Sequence, residues 1–241
     1  MEECPSPNFG PRLGNSAWPD TIILHYTGMS DGPSALARLC DPAAQVSCHY
    51  LVLEDGRVLQ LVAEEHRAWH AGRSSWAGVT DMNSASIGIE IVNGGHDHGL
   101  PPYPAVQIDA VAQLCLEITA RFGIKPERVL AHSDIAPSRK QDPGELFPWD
   151  RLHSAGVGHW VPPAEGFDDR ELAQGDTGEA VLCLQGDLRL YGYGVAESGI
   201  FDPETETVVR AFQRHFRPAR VSGRADAGTR LTLSRLLGAL V

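Results

Sequence analysis

Thr21-Ile22-Ile23-Leu24-His25-Tyr26-Thr27-Gly28 is an apolar run of β-type residues with a histidine towards its end. Branched and aromatic side chains of this kind fit the pleated surface of a sheet, so residues 20–26 read as a buried strand entering His25. Working outward, Cys48–Leu53 and Arg57–Val62 are apolar runs split by Glu54-Asp55-Gly56, a hairpin signal. Ser86-Ile87-Gly88-Ile89-Glu90-Ile91-Val92 is a further strand, stopped by Asn93-Gly94-Gly95. Over Pro104–Phe122, Val106, Val111, Leu114, Cys115, Ile118 and Phe122 recur at helical spacing, and Gly123 suits the C-terminal stop. Val129-Leu130-Ala131 is then a short strand delivering His132. Strands interspersed with helices give an α/β class, a mixed central sheet flanked by helices.

Around Val161-Pro162-Pro163-Ala164-Glu165-Gly166 the pattern breaks into a linker. Beyond it, Glu179–Tyr191, Pro203–His215 and Asp226–Leu240 read as amphipathic helices, with turns at Gly192, Gly194, Gly199 and Ser222-Gly223. About seventy residues in three helices make a small bundle whose modest core can stand alone. A chain of 241 residues accommodates two such units. The expected organisation is a larger α/β domain over 1–163 and a small three-helix domain over 170–241.

Composition narrows the function classes. With 42% hydrophobic and 21% charged residues the chain has an ordinary globular balance. A formal net charge of -11 argues against the basic face that nucleic acid requires, though a small localised basic pocket is compatible with it. No run reaches the length of a membrane span. The N-terminus, Met1-Glu2-Glu3-Cys4-Pro5, has neither the positive start nor the apolar core of a secretory signal. The five cysteines (Cys4, Cys40, Cys48, Cys115, Cys183) are odd in number and lack CxxC spacing. Cys115 and Cys183 read as small core residues of helices. A reducing compartment and a cytoplasmic location are therefore expected, with a periplasmic or extracellular one if an export signal has been removed. Nothing in the sequence specifies an oligomeric state.

The chemistry gathers in His132-Ser133-Asp134-Ile135-Ala136-Pro137-Ser138-Arg139-Lys140-Gln141-Asp142-Pro143-Gly144, read as a rigid, proline-punctuated loop. Alone, a histidine ending a strand can cap a core, and Asp142-Pro143-Gly144 can be a plain turn. Together, His25, His132 and Asp142 make a three-donor set suited to Zn²⁺, and three protein ligands leave a position free, as catalytic zinc requires. Glu90 shares a strand face with Gly88 and Val92; beside a metal, a partly buried carboxylate serves as general base, whereas elsewhere it is an exposed strand residue. Lys140, two residues before Asp142, can stabilise developing negative charge or be merely solvated. Trp69-His70-Ala71-Gly72 can line a groove for sugar or peptide, with core packing as the rival. His49, His66 and His70 read as structural or rim residues. His96-Asp97-His98 reads as a solvated loop ahead of a second metal site.

At this point the residues resemble a family: the zinc-dependent N-acetylmuramoyl-L-alanine amidases of type 2, a superfamily that includes peptidoglycan-recognition proteins. The resemblance rests on Ile23-Leu24-His25-Tyr26-Thr27, Val46-Ser47-Cys48-His49-Tyr50-Leu51-Val52, Ala68-Trp69-His70-Ala71-Gly72, Ser86-Ile87-Gly88-Ile89-Glu90 and His132-Ser133-Asp134-Ile135-Ala136-Pro137, in family order across most of residues 15–150. Residues 170–240 resemble a helical peptidoglycan-binding module through Gly175-Asp176-Thr177-Gly178, Leu184-Gln185, Gly199-Ile200-Phe201-Asp202, Phe212-Gln213 and Asp226-Ala227-Gly228-Thr229.

The resemblance implies one catalytic Zn²⁺ on His25, His132 and Asp142, Glu90 as proton carrier and Lys140 as oxyanion partner. It further implies Trp69, His70, Arg73, Asn83 and Arg139 as candidate substrate contacts. The implied partner is peptidoglycan or its (anhydro)muropeptides, in wall recycling or turnover. Two departures stand out: Cys48 replaces a tyrosine that is catalytic in some branches, and Asp81 stands where several members carry an arginine associated with stem-peptide carboxylates. A recognition protein that binds muropeptides without cutting them is the alternative, but such proteins usually lack a metal ligand. A zinc peptidase would need an HExxH helix, absent here.

Overall fold

The computed structural model describes residues 2–14, 18–166 and 170–240. In chain order these form β1 (Glu2–Glu3), β2 (Phe9–Pro11), β3 (Thr21–Tyr26), α1 (Gly32–Cys40), β4 (Tyr50–Val52), β5 (Val58–Gln60), β6 (His66–Ala68), α2 (Met82–Ala85), β7 (Ser86–Ile91), α3 (Ala105–Phe122), β8 (Val129–Ala131), α4 (His132–Ile135), α5 (Trp149–Ser154), α6 (Glu179–Tyr191), α7 (Pro203–Phe216) and α8 (Ala227–Gly238). The central sheet runs β1-β5-β4-β7-β3-β8. β3 is parallel to β7 and β8, β4 is parallel to β7, and the β4–β5 hairpin is antiparallel, so the sheet is mixed as expected. β2 and β6 form a separate antiparallel ribbon. Among the described residues no helix is long and apolar enough to cross a membrane.

The period-2 alternation of strands divides the apolar residues between two layers. Ile22 and Leu24 of β3, with Ile87, Ile89 and Ile91 of β7, pack on Ile108, Val111, Leu114, Cys115 and Ile118 of α3. Each such fully buried side chain contributes about 1.5–3 kcal/mol. α3 stops at Gly123, whose left-handed φ of 65° a side chain would strain. Ile23 and Leu130 face the opposite layer, where they join Trp76 and Ile135.

That second layer joins the C-terminal helices to the α/β part. Its apolar cluster is continuous with Leu184, Leu188, Tyr193, Phe212 and Phe216 of the C-terminal helices. Trp76 is packed edge-on by Tyr191 and Tyr193, at centroid distances of 6.1 and 4.8 Å. Gly192 permits the approach, since a Cβ there would lie 2.5 Å from the Trp76 ring. The linker is likewise tied down: Ala164 N donates to Thr232 Oγ1 of α8 at 2.9 Å. One buried carboxylate clasps the two parts. Asp134 of α4 accepts from Tyr193 Oη (2.7 Å), His215 Nδ1 (2.7 Å) and Ala131 N (2.8 Å). His215 itself is stacked between Trp149 and Phe216. Asp134→Ala would strand three buried donors at once, and we expect a loss of about 3–5 kcal/mol in urea unfolding; a loss under about 1 kcal/mol would show that water replaces the carboxylate.

Two expectations need correction. Cys183 is exposed, because Val181, Leu184, Gln185 and Leu188 supply the inward stripe of α6 and residue 183 falls outside it; Cys115 is buried. His132 does not open a loop: it begins α4, one helical turn that ends at Ile135.

Candidate metal centre

The strand register builds the site. β3–β7 pairing sets His25 beside Glu90, and β3–β8 pairing sets Leu24 beside Ala131, so the next residue, His132, emerges next to His25. These are the carboxyl ends of parallel strands, where α/β sheets gather their functional groups. The chain then returns Asp142, whose carbonyl accepts from Ser133 N at 3.0 Å. His25 Nδ1, His132 Nδ1 and Asp142 Oδ2 converge at 2.9 Å (His25–His132), 3.1 Å (His25–Asp142) and 2.9 Å (His132–Asp142). All three residues are at least 95% buried, with exposures of 1, 2 and 5%. Arg73 and Asn83, by contrast, lie outside the wall of the adjoining cavity.

The hydrogen bonds behind the ligands decide what can occupy this cluster. His132 Nε2 lies 3.0 Å from the Ala71 carbonyl, which can only accept, so Nε2 carries a proton, and in the neutral ring Nδ1 is the lone pair that a metal would take. That lone pair faces a carboxylate oxygen at 2.9 Å and a second imidazole nitrogen at 2.9 Å. A cation between them, a proton in the metal-free protein or a metal ion, joins the three atoms. Donors around a tetrahedral zinc sit roughly 3.3 Å apart, a few tenths of an ångström more than here, and imidazole and carboxylate are zinc donors. The residues therefore fit a metal ion. Burial and then the neighbouring His132 lower the His25 pKa to about 4, which keeps it a neutral donor. Burial raises the Asp142 carboxyl, but His132 and His25 outweigh it and hold the group below the usual carboxylate range.

His70 supports the cluster from behind. Its Nδ1 is 3.0 Å from His25 Nε2 and its Nε2 is 3.3 Å from Ser86 Oγ, whose hydroxyl donates to the Met82 carbonyl. The ring lies flat on Gly88, where a Cβ would come within 2.4 Å of it. His70 does reach the cavity wall, yet both ring nitrogens are engaged by protein. Gly88→Ala is expected to displace this ring and weaken zinc binding about 10–100-fold, the usual cost of losing an outer partner; chelator competition measures it, and unchanged affinity would show that His70 does not orient His25.

The other sequence-derived residues divide cleanly. Glu90, Trp69, Arg139 and Lys140 line a cavity of about 540 Å³ that opens on the cluster. Glu90 Oε2 is buried with no hydrogen-bond partner. Burial first, then Asp142, raises the affinity of Glu90 for a proton, and Lys140 opposes this. Arg139 Nη2 donates to the carbonyls of Ala71 (2.7 Å) and Arg73 (2.9 Å). Neither Asn83 nor Arg73 lines this cavity. Asn83 Oδ1 accepts from His70 N (3.0 Å) and Ala71 N (2.7 Å), which fixes the carbonyl behind His132, and the Arg73 side chain is exposed. Asp81 pairs with Arg67 at 2.9 Å and caps α2. Cys48 is wholly buried behind Glu90, and burial keeps its thiol protonated. His49 is structural, as read: its Nδ1 accepts from Gly88 N at 2.9 Å.

Sequence reasoning missed part of the wall. Tyr26 Oη meets His96 Nδ1 at 3.0 Å, and His96 Nε2 meets Glu145 at 3.0 Å, so His96 and Asp97 close one side of the cavity. Gly94-Gly95 was the available signal, because at Gly95 a Cβ would lie 2.5 Å from the Tyr26 ring.

Comparison with known proteins agrees with this geometry. The family described as N-acetylmuramoyl-L-alanine amidase matches residues 15–145, and a peptidoglycan binding domain matches residues 177–233. The N-acetylmuramoyl-L-alanine amidase AmiD of Escherichia coli K12 is 41% identical over 94% of this chain and 86% of its own length. The structure of E. coli AmiD with the substrate anhydro-N-acetylmuramic acid-L-Ala-D-γ-Glu-L-Lys superposes with a TM-score of 0.80 at 40% identity, covering 94% of this chain and 92% of that one. AmpDh3 from Pseudomonas aeruginosa superposes with a TM-score of 0.77 at 33% identity, covering 93% and 94%. With two buried histidines and an aspartate converging beside a cavity-lining glutamate on this fold, the chain belongs to the N-acetylmuramoyl-L-alanine amidase family.

Proposed function

We propose that this N-acetylmuramoyl-L-alanine amidase uses one zinc ion, held by His25 Nδ1, His132 Nδ1 and Asp142 Oδ2, and acts on muropeptides that include the 1,6-anhydro form. The bond cut joins the lactyl carbonyl of N-acetylmuramic acid to the first L-alanine of the stem peptide. The observation that carries the reading is the convergence of three buried donors beside Glu90, whose carboxylate oxygen is unpartnered at the cavity floor. A zinc ion held there would supply a lowered pKa for a water and polarisation of a carbonyl oxygen. Glu90 accepts the proton of the attacking water and passes it to the departing alanine nitrogen, a task for which its raised proton affinity suits it. Lys140 faces the oxygen that becomes negative as the carbonyl carbon turns tetrahedral. Trp69, in the cavity wall, offers an aromatic face to the sugar.

In this reading residues 1–163 carry the chemistry and residues 170–241 form a peptidoglycan-binding-like part that also braces α4. Five free cysteines suit a reducing compartment, and action in the cytoplasm on soluble fragments is part of the proposal. The test is to incubate the zinc-loaded protein with soluble anhydro-muropeptides and, separately, with intact sacculi, and to identify products by mass spectrometry. Free stem peptide from the fragments is expected. Release from sacculi alone would move the enzyme to the periplasm or outside the cell. Release from neither, with zinc bound, would overturn the catalytic reading in favour of recognition without cleavage.

A further inference from the structure

We infer that a basic groove between the loop at 137–141 and α7 binds the free carboxylates of the stem peptide, so that the helical region takes part directly in substrate recognition. The inference rests on the amidase reading above. The groove encloses about 360 Å³. Arg139, Lys140 and Gln141 line it from the loop, and Thr207, Arg210 and Arg214 from α7. The same three loop residues line the cavity at the metal cluster, so the two spaces adjoin. Four cations meet here in a chain of net charge -11.

Arg210 and Arg214 each face one carboxylate, and Arg139 and Lys140 add two further positive charges to the groove. Arg210 is paired with Glu206 at 2.6 Å. Arg214 Nη2 donates to Gln141 Oε1 at 3.0 Å, but its Nε is buried without a hydrogen-bond partner. The carboxylate facing that Nε is Glu145, at 3.7 Å and beyond hydrogen-bond reach, and the Arg214 side chain is only 13% exposed. Arginine guanidinium groups are the side chains that best recognise a carboxylate, and two of them, Arg210 and Arg214, line the groove from α7.

The proposed substrate supplies such groups at the right distance. A γ-linked D-glutamate leaves its α-carboxylate free, and the peptide ends on another. At about 3.3–3.6 Å per residue these lie roughly 7–12 Å beyond the scissile amide. Gln141 is adjacent in sequence to the cluster residue Asp142 and lines both spaces, so a peptide leaving the cluster along this loop passes towards the groove.

The experiment compares kcat/KM of the zinc-loaded enzyme on anhydro-N-acetylmuramic acid-L-Ala-γ-D-Glu-L-Lys and on the same compound with both carboxylates amidated. Arg214→Gln and Arg210→Gln are each expected to lower kcat/KM on the acid form roughly tenfold or more, chiefly through KM, and to change the amidated form less than about twofold. If Arg214→Gln does not fold, the more exposed Arg210 carries the test alone. Equal losses on both forms would reduce the arginines to a structural role, and no loss on either would empty the groove of function; both results overturn the inference. A zinc-loaded wild type inactive on both forms would instead overturn the amidase reading.

Discussion

Glu90→Gln is expected to lower kcat by about 10²–10⁴-fold while zinc stays bound at one ion per chain. The substitution keeps the shape of the side chain and removes its ability to carry a proton. Zinc should remain because Glu90 is not among the three converging donors. Turnover is read from released peptide and metal content by atomic emission. Loss of zinc would make Glu90 a ligand, and retained activity would assign the proton transfer elsewhere. A stability signature accompanies the loss. Because burial raises the folded-state pKa of Glu90, its contribution to stability is fully present only below the ordinary carboxylate pKa of about 4.3 and is lost as pH rises through the raised value. The metal-free Gln variant should therefore match or exceed metal-free wild type in Tm at neutral pH. That margin should shrink on acidification.

Asp142→Ala is expected to reduce zinc affinity by more than the roughly 10–100-fold that an outer partner costs. It removes one donor of three and leaves His25 Nδ1 and His132 Nδ1 facing each other at 2.9 Å with no anion between them. In the metal-free protein the same change breaks a buried, hydrogen-bonded carboxylate–imidazole cluster, for a loss of about 3–5 kcal/mol. The Asp142 carboxyl is held below its ordinary range, so this contribution is present above about pH 4 and fades as pH falls through the depressed value. Chelator competition and urea titration measure the two effects. Unchanged zinc affinity would remove Asp142 from the site.

What could be read from the sequence followed local period. β3, β7 and β8 are short alternating or continuous apolar runs, and α3 and the three C-terminal helices carry helical spacing, so both layers were legible before any contact was known. Their partners were not. That His25 stands beside Glu90 depends on the β3–β7 register, which no local pattern specifies. The sequence reading does not include α1, although Asp31 caps it and Pro33 stands in its first turn. Asn83 and His70 carry side chains typical of substrate contacts. Their hydrogen bonds go to backbone and to His25, destinations set by tertiary folding. The clasp of Asp134, Tyr193 and His215 spans 81 residues of chain and has no sequence period at all. For that reason the helical region read as a bundle of its own; its aromatic core is shared with Trp76 and the sheet.

The central claim is that His25, His132 and Asp142 together hold the one zinc at which the amide is cut. X-ray absorption at the zinc edge, on protein shown to be active in the same preparation, tests it most directly. The account predicts nitrogen and oxygen neighbours only, at about 2.0–2.2 Å, including two imidazoles. A sulfur neighbour near 2.3 Å, or full activity with zinc removed, would contradict it.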